Sequence, residues 1–213
     1  MGYVSPVLGV ALAAGVVAAA TSAVGSQSPE VGPQQVTKAI IETTIQAWKA
    51  EPQKTARMIV AKYGLPQEAS TNRLIWHNNG PWKTTVLVNE EVPHDFPMPH
   101  KDMLYQAVNY RIDSDDADEL IAYDGSVVLE RTKGEIAARC DKEEANFLAI
   151  NLANDVATGR RSVSEARKFY AESVMALMKG QPNDYVKGFR FEVMKTGTGD
   201  RDKPFGPVGT SGR

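Results

Sequence analysis

The chain has a single cysteine, Cys140, among its 213 residues. An intrachain disulfide and a multi-cysteine zinc site are therefore excluded, and a lone cysteine is expected to serve as a small buried hydrophobe. Positive charge is not concentrated anywhere. The formal net charge is −2, and no Lys/Arg cluster exceeds Arg160-Arg161, so nothing supports a nucleic-acid surface. Nucleophile elbow, P-loop, dinucleotide fingerprint and His-Glu-x-x-His signatures are all missing. Charge itself is missing from Met1 to Pro29.

That charge-free stretch is the first positive feature. From Val7 to Gly25 nearly every residue is Val, Leu, Ala or Gly, close to the roughly 20 residues needed to span a hydrocarbon core as a helix. Two export readings compete. Ala18-Ala19-Ala20 and Ala23-Val24-Gly25 offer small residues at signal-peptidase spacing, although no basic residue precedes them. Alternatively, Ala11, Gly15, Ala19 and Ala23 recur every fourth residue and would form a packing stripe on an uncleaved anchor. An Ala-rich tail on a cytoplasmic protein is the third reading. No cysteine lies directly after the segment, so an acylated lipoprotein anchor is not expected. The expected organisation is an apolar signal peptide or anchor at 1–25, a linker at 26–36, one globular domain at 37–194 and a disordered tail at 195–213.

Within the domain, Ile41, Thr44, Ile45 and Trp48 lie at i, i+3, i+4 and i+7, the stripe of an amphipathic helix starting near Thr37. Pro52 suits the first turn of a second helix, which Gly64 and Pro66 stop. Leu74–His77 and Trp82–Val88 flank Asn78-Asn79-Gly80-Pro81 and predict a β-hairpin. Residues 89–102 carry Pro93, Pro97 and Pro99 and read as a long extended loop. Val108, Tyr110 and Ile112 alternate as a third strand. A short helix comes next in the acidic run Asp115–Glu119, then a second hairpin pairs Val127–Arg131 with Ile136–Cys140. Capping boxes at Asp141/Glu144 and Ser162/Glu165 open two long helices joined by a short link. Tyr185–Met194 is a last strand or a docked arm. The fold class is α+β: an antiparallel sheet of about five strands in two hairpins, packed with an N-terminal helix pair and a C-terminal antiparallel helix hairpin.

Two local patterns carry a resemblance. The stretch Ala56–Trp76, a helix ending in Tyr63-Gly64-Leu65-Pro66 before a strand, resembles the helix-to-hairpin passage of small bacterial envelope assembly lipoproteins. More broadly, Leu74-Ile75-Trp76-His77-Asn78-Asn79-Gly80-Pro81-Trp82-Lys83, Ala138-Arg139-Cys140-Asp141-Lys142-Glu143-Glu144 and Asn151-Leu152-Ala153-Asn154-Asp155 are similar to an uncharacterised bacterial envelope-associated family. That resemblance implies a discrete domain and attaches no activity to it.

Four constellations bear on chemistry. His77, His94 and His100 fall within 24 residues and are candidate metal ligands, with Met98 between two of them and Asp95 and Asp102 beside them. Loop histidines in solvent are the alternative. Trp76, His77, Asn78, Asn79, Trp82 and Lys83 place two indoles around amide groups. That is either a platform for a sugar or peptide, or a cross-strand aromatic pair setting a hairpin register. The run Asp113–Glu119 is acidic but has Ala117 at a ligand position of a calcium loop, which favours a helix start. Glu144, Asn151 and Asp155 share a helix face near Arg139, where a buried carboxylate would be an acid–base candidate.

From these features the expected function is a non-enzymatic exported or membrane-tethered envelope domain. It would bind a protein partner as an accessory subunit, with no cofactor, no nucleic acid, and membrane contact through the N-terminal segment. The alternatives are a metal-dependent or hydrolytic enzyme using His77, His94 and His100, and a glycan-binding module using Trp76 and Trp82.

Overall fold

The computed structural model describes residues 1–2 and 36–206. The signal-peptide and anchor readings of 1–25, nearly all of the linker and the end of the tail lie outside the described residues. The chain divides into two units, Met1–Gln34 and Gln35–Arg213, and the helices and strands of the described residues belong to the second. Among the described residues no helix is long and apolar enough to cross a membrane.

The domain is α+β, with the expected helix pair first. Helix α1 (Lys38–Gln46) is capped by Thr37, whose hydroxyl accepts from the Ile40 amide, and it buries Ile41 and Ile45. Helix α2 (Ala50–Tyr63) carries Pro52 in its first turn and ends at Gly64 with φ 81°, a left-handed conformation that glycine adopts freely. Strands β1 (Glu68–Ser70), β2 (Arg73–Asn79), β3 (Trp82–His94), β4 (His100–Asn109), β5 (Val127–Glu130) and β6 (Glu135–Cys140) form one sheet in the order β1-β2-β3-β4-β6-β5, all neighbours antiparallel. Helix α3 (Ala117–Tyr123) succeeds a 3₁₀ turn in the acidic run. Helices α4 (Glu143–Ala157) and α5 (Val163–Met178) close the fold.

The sheet has six strands rather than five, because β1 adds an edge of three residues, too short to leave an alternation in the sequence. A larger difference concerns residues 89–102. They form not a long loop but the distal half of a third hairpin, in which Val92, Pro93 and His94 pair with Asp102, Lys101 and His100. Strand β2 pairs with β3 only as far as Val88, so Pro93 lies where β3 has a free edge, and an edge tolerates a residue without an amide donor. The strand expected at 108–112 begins at His100 and ends at Asn109.

Two buried clusters fill the domain. One joins Ile41, Ile45, Trp48 and Ile59 of the helix pair to Leu74, Trp76, Leu87 and Leu104 of the sheet. The other wraps α4, whose residues from Ala145 to Val156 are all buried, with Val108, Ile136, Leu120 and Tyr170. A fully buried polar chain crosses the sheet. Asn146 donates to Gln106 Oε1 and to the Leu104 carbonyl, both at 3.0 Å, and Gln106 donates to Thr85 Oγ1. These bonds satisfy Asn146 Nδ2 and both ends of the Gln106 amide, while Asn146 Oδ1 is buried without a partner among the described residues.

The Ser162/Glu165 capping box is present, with the reciprocal bonds in place. Its counterpart at Asp141/Glu144 is not: Lys142 occupies the N-cap position without a side-chain bond. The Asp141 carboxylate is engaged by Lys142 Nζ at 3.0 Å and by the Cys140 thiol. Residues 185–194 form a docked arm rather than a strand. Asn151 donates to the Tyr185 and Gly188 carbonyls and accepts from the Arg190 amide, at 2.7–2.9 Å, and Phe189 and Phe191 pack against the core. The start of the tail is held too. Asn109 donates to the Lys195 carbonyl, and Thr198 sits so close to Gly134 that a Cβ there would come within 2.1 Å of its carbonyl carbon.

Candidate metal centre

The β3–β4 hairpin assembles the site. Along its paired length, β3 takes five steps from Leu87 to Val92 while β4 takes two from Leu104 to Asp102. Such an irregularity bends a strand and re-aims the side chains beyond it. On the far side of the bend, His94 and His100 are register partners, with ring centroids 4.9 Å apart. His100 and Asp102 are two residues apart on β4 and so share one face of the strand.

One ligand atom from each of His94, His100 and Asp102 falls in a group whose members all lie within 4.8 Å of one another. His94 Nδ1 is 3.2 Å from Asp102 Oδ2, and His100 Nε2 is 3.1 Å from Asp102 Oδ1. These are contact distances, yet His94 Nδ1 and Asp102 Oδ1 are buried with no hydrogen-bond partner among the described residues. The groups therefore converge without pointing along one another. Two ligands of a tetrahedral ion at about 2.0–2.2 Å are separated by about 3.4 Å, a value that the two histidine–Asp102 distances approach. Asp102 is 2% exposed, and a carboxylate so buried requires a compensating positive partner.

Around this trio lies a layer that orients it. His100 Nδ1 is 2.9 Å from the Met98 carbonyl. Since a carbonyl only accepts, Nδ1 carries the proton and the Nε2 lone pair of the neutral ring is directed at the cluster. His94 Nε2 lies 3.7 Å from Asp124 Oδ1. That oxygen accepts from both the amide and the hydroxyl of Ser126 at 2.8 Å. A histidine with one nitrogen toward a metal and the other toward a carboxylate is a recurrent arrangement. The adjacent Asp102 carboxylate is the main influence holding the His100 pKa above the ordinary imidazole value, while burial raises that of Asp124. Cys140 Sγ is 3.4 Å from His100 Nε2, but burial pushes its thiol pKa well up, so it is not an activated nucleophile.

A cavity of about 560 Å³ opens on the His100 and Cys140 side, walled by residues of α2, the 97–99 turn, α4 and α5.

Several sequence candidates go elsewhere. His77 is not with the other two histidines; it is exposed on β2, 2.6 Å from the Glu68 carboxylate. Asp95 does not join the group, whereas Asp102 does. Trp76 and Trp82 are 0% and 1% exposed, and neither offers a ring face to a ligand. Trp76 Nε1 donates to the Gly64 carbonyl, and Trp82 packs against Phe147 and Phe189 with centroids 4.7 and 5.0 Å away. They are not a cross-strand pair either: Trp76 faces Thr85 and Trp82 faces Asn79. Asn78, Trp82 and Lys83 border a shallow cavity of about 740 Å³. Asn79 is buried, and Lys83 is paired with Glu135 at 2.6 Å. Asp155 is bound by Arg160, Arg161 and Tyr185, which is a structural tie.

Asp124 and the contact of Cys140 with His100 had no signal in the sequence, since neither lies at a ligand spacing from the histidines. Comparison of the chain with protein-family models, with curated proteins and with solved structures finds no match.

Proposed function

We propose that this domain holds one divalent transition-metal ion through His94, His100 and Asp102 and uses it on a small molecule admitted by the adjoining cavity. The observation that carries the reading is the convergence of three ligand atoms within 4.8 Å, two of them buried without hydrogen-bond partners. Two histidines and one carboxylate leave coordination positions open, which is the arrangement of catalytic rather than structural metal sites. A metal so placed acts as a Lewis acid or lowers the pKa of bound water. The hydrogen bond that orients the second nitrogen of His100 and the cavity beside that ring favour this reading over solvent-exposed loop histidines. The accessory-subunit reading draws on the N-terminal segment, outside the described residues, and no feature of the domain singles it out.

The test is metal analysis of purified full-length protein after dialysis, repeated with His94→Ala, His100→Ala and Asp102→Ala. About one equivalent of metal is expected in the wild type and little in each variant, because loss of one of three ligands opens the site. Wild-type protein that neither retains nor takes up zinc, iron, cobalt or copper would sink the proposal.

A further inference from the structure

We infer that the cavity beside His100 and Cys140 accepts a neutral, elongated apolar molecule whose terminal oxygen donor is presented to the metal. This deepens the metal reading and rests on it. The volume of about 560 Å³ falls in the range of small-molecule sites, roughly 300–1,000 Å³. Its walls are contributed by Leu148, Tyr170, Val174 and Leu177, which offer aliphatic and aromatic surface and no charge.

His100, a member of the cluster, and Cys140, 3.4 Å from its Nε2, line the cavity, as does Thr55. The exposed or half-exposed charged side chains of Glu51, Lys54, Asp141, Lys142 and Glu144 border it. Lys142 is already paired with Asp141 at 3.0 Å, and carboxylates outnumber ammonium groups there. An anionic ligand would meet net repulsion at this border, and a neutral one would not. Met58 and Met178 are 45% and 71% exposed and also border the cavity. Exposed flexible thioethers at a cavity are adaptable apolar contacts, and their exposure costs least if an apolar ligand covers them.

A chelating head with a variable tail separates the two parts of the inference. Acetohydroxamic acid and octanohydroxamic acid share the metal-binding head and differ by six methylenes. Each methylene buried in an apolar wall strengthens binding about fourfold. Titrated calorimetrically into the zinc-loaded full chain, the octano compound is expected to bind at least about a hundredfold more tightly than the aceto compound. Leu177→Glu should remove most of that advantage while leaving acetohydroxamate affinity within about threefold, which also shows that the variant is folded. Equal affinities for the two compounds on zinc-loaded protein would overturn the cavity inference and leave the metal reading standing. Failure of both compounds to bind, with no zinc taken up, would overturn both. Tight binding of the octano compound that His100→Ala leaves unchanged would place the head away from the metal and also overturn the inference.

Discussion

His94 and His100 face each other as register partners across β3 and β4, with ring centroids 4.9 Å apart. Six positions apart in sequence, they lie at no recognised ligand spacing; the turn at 95–99 brings them together. Asp102 joins from the same strand as His100. The site thus depends on one hairpin end and on the elements packed around it.

Asp124 is expected to act on the proposed metal ion through His94. Asp124→Asn preserves shape but removes the charge facing His94 Nε2 at 3.7 Å. Metal affinity should fall about 10–100-fold, against near-complete loss in His94→Ala. Competition titration with a chromophoric chelator measures both. An unchanged Asp124→Asn affinity would mean that the Ser126-bound carboxylate has no orienting role.

Trp82→Ala should destabilise the domain by about 3–5 kcal/mol, because the indole is 1% exposed between Phe147 and Phe189. Urea titration followed by far-UV dichroism reads the loss. A cost below about 1 kcal/mol would be incompatible with a packed indole and would reopen the sugar-platform reading of Trp76 and Trp82.

Asn151→Ala should free the arm at 185–190. It removes the three hydrogen bonds to Tyr185, Gly188 and Arg190, and unpaired buried groups cost about 1–3 kcal/mol each before relaxation. Brief trypsin treatment should cut after Lys187 and Arg190 much faster than in wild type. Equal digestion rates would show that the aromatic contacts alone hold the arm.

Ser162→Ala should cost about 1 kcal/mol by removing the N-cap oxygen of α5. The reciprocal half of the box depends on pH. Hydrogen bonds from the Ser162 amide and hydroxyl hold the Glu165 carboxyl below its usual pKa. A depressed folded-state pKa stabilises fully above the unfolded value of about 4.3 and is lost as pH falls through the folded value. The gap in midpoint between wild type and Glu165→Gln should therefore be constant near neutrality and close in acid. A gap that persists at pH 2 would assign it to packing instead of charge.

Local chemistry alone specified much of this architecture. The Thr37 and Ser162 caps, Pro52 in a first turn, the stop at Gly64 and the turns at Gly80 and Gly134 act over a few residues, so their outcomes could be read from the order of side chains. The spacing of Ile41, Ile45 and Trp48 likewise determined which helix face is buried. Asp141 shows where such rules fail: its carboxylate is taken up by its own sequence neighbours, Lys142 and Cys140, and the helix starts one residue later, with Lys142 at the N-cap. Only the tertiary structure decided that the proline-bearing segment 89–102 pairs as a hairpin, because a free sheet edge accepts Pro93 and no sequence pattern marks which edge is free. The site results from that pairing. His77 was as close in sequence to His94 as many true ligand pairs, yet it lies on β2 and turns to Glu68. Asp124, thirty residues beyond His94 and outside any ligand spacing, comes within 3.7 Å of its second nitrogen. Proximity across strands depends on register and bulges, and these are set by the packing of the whole sheet.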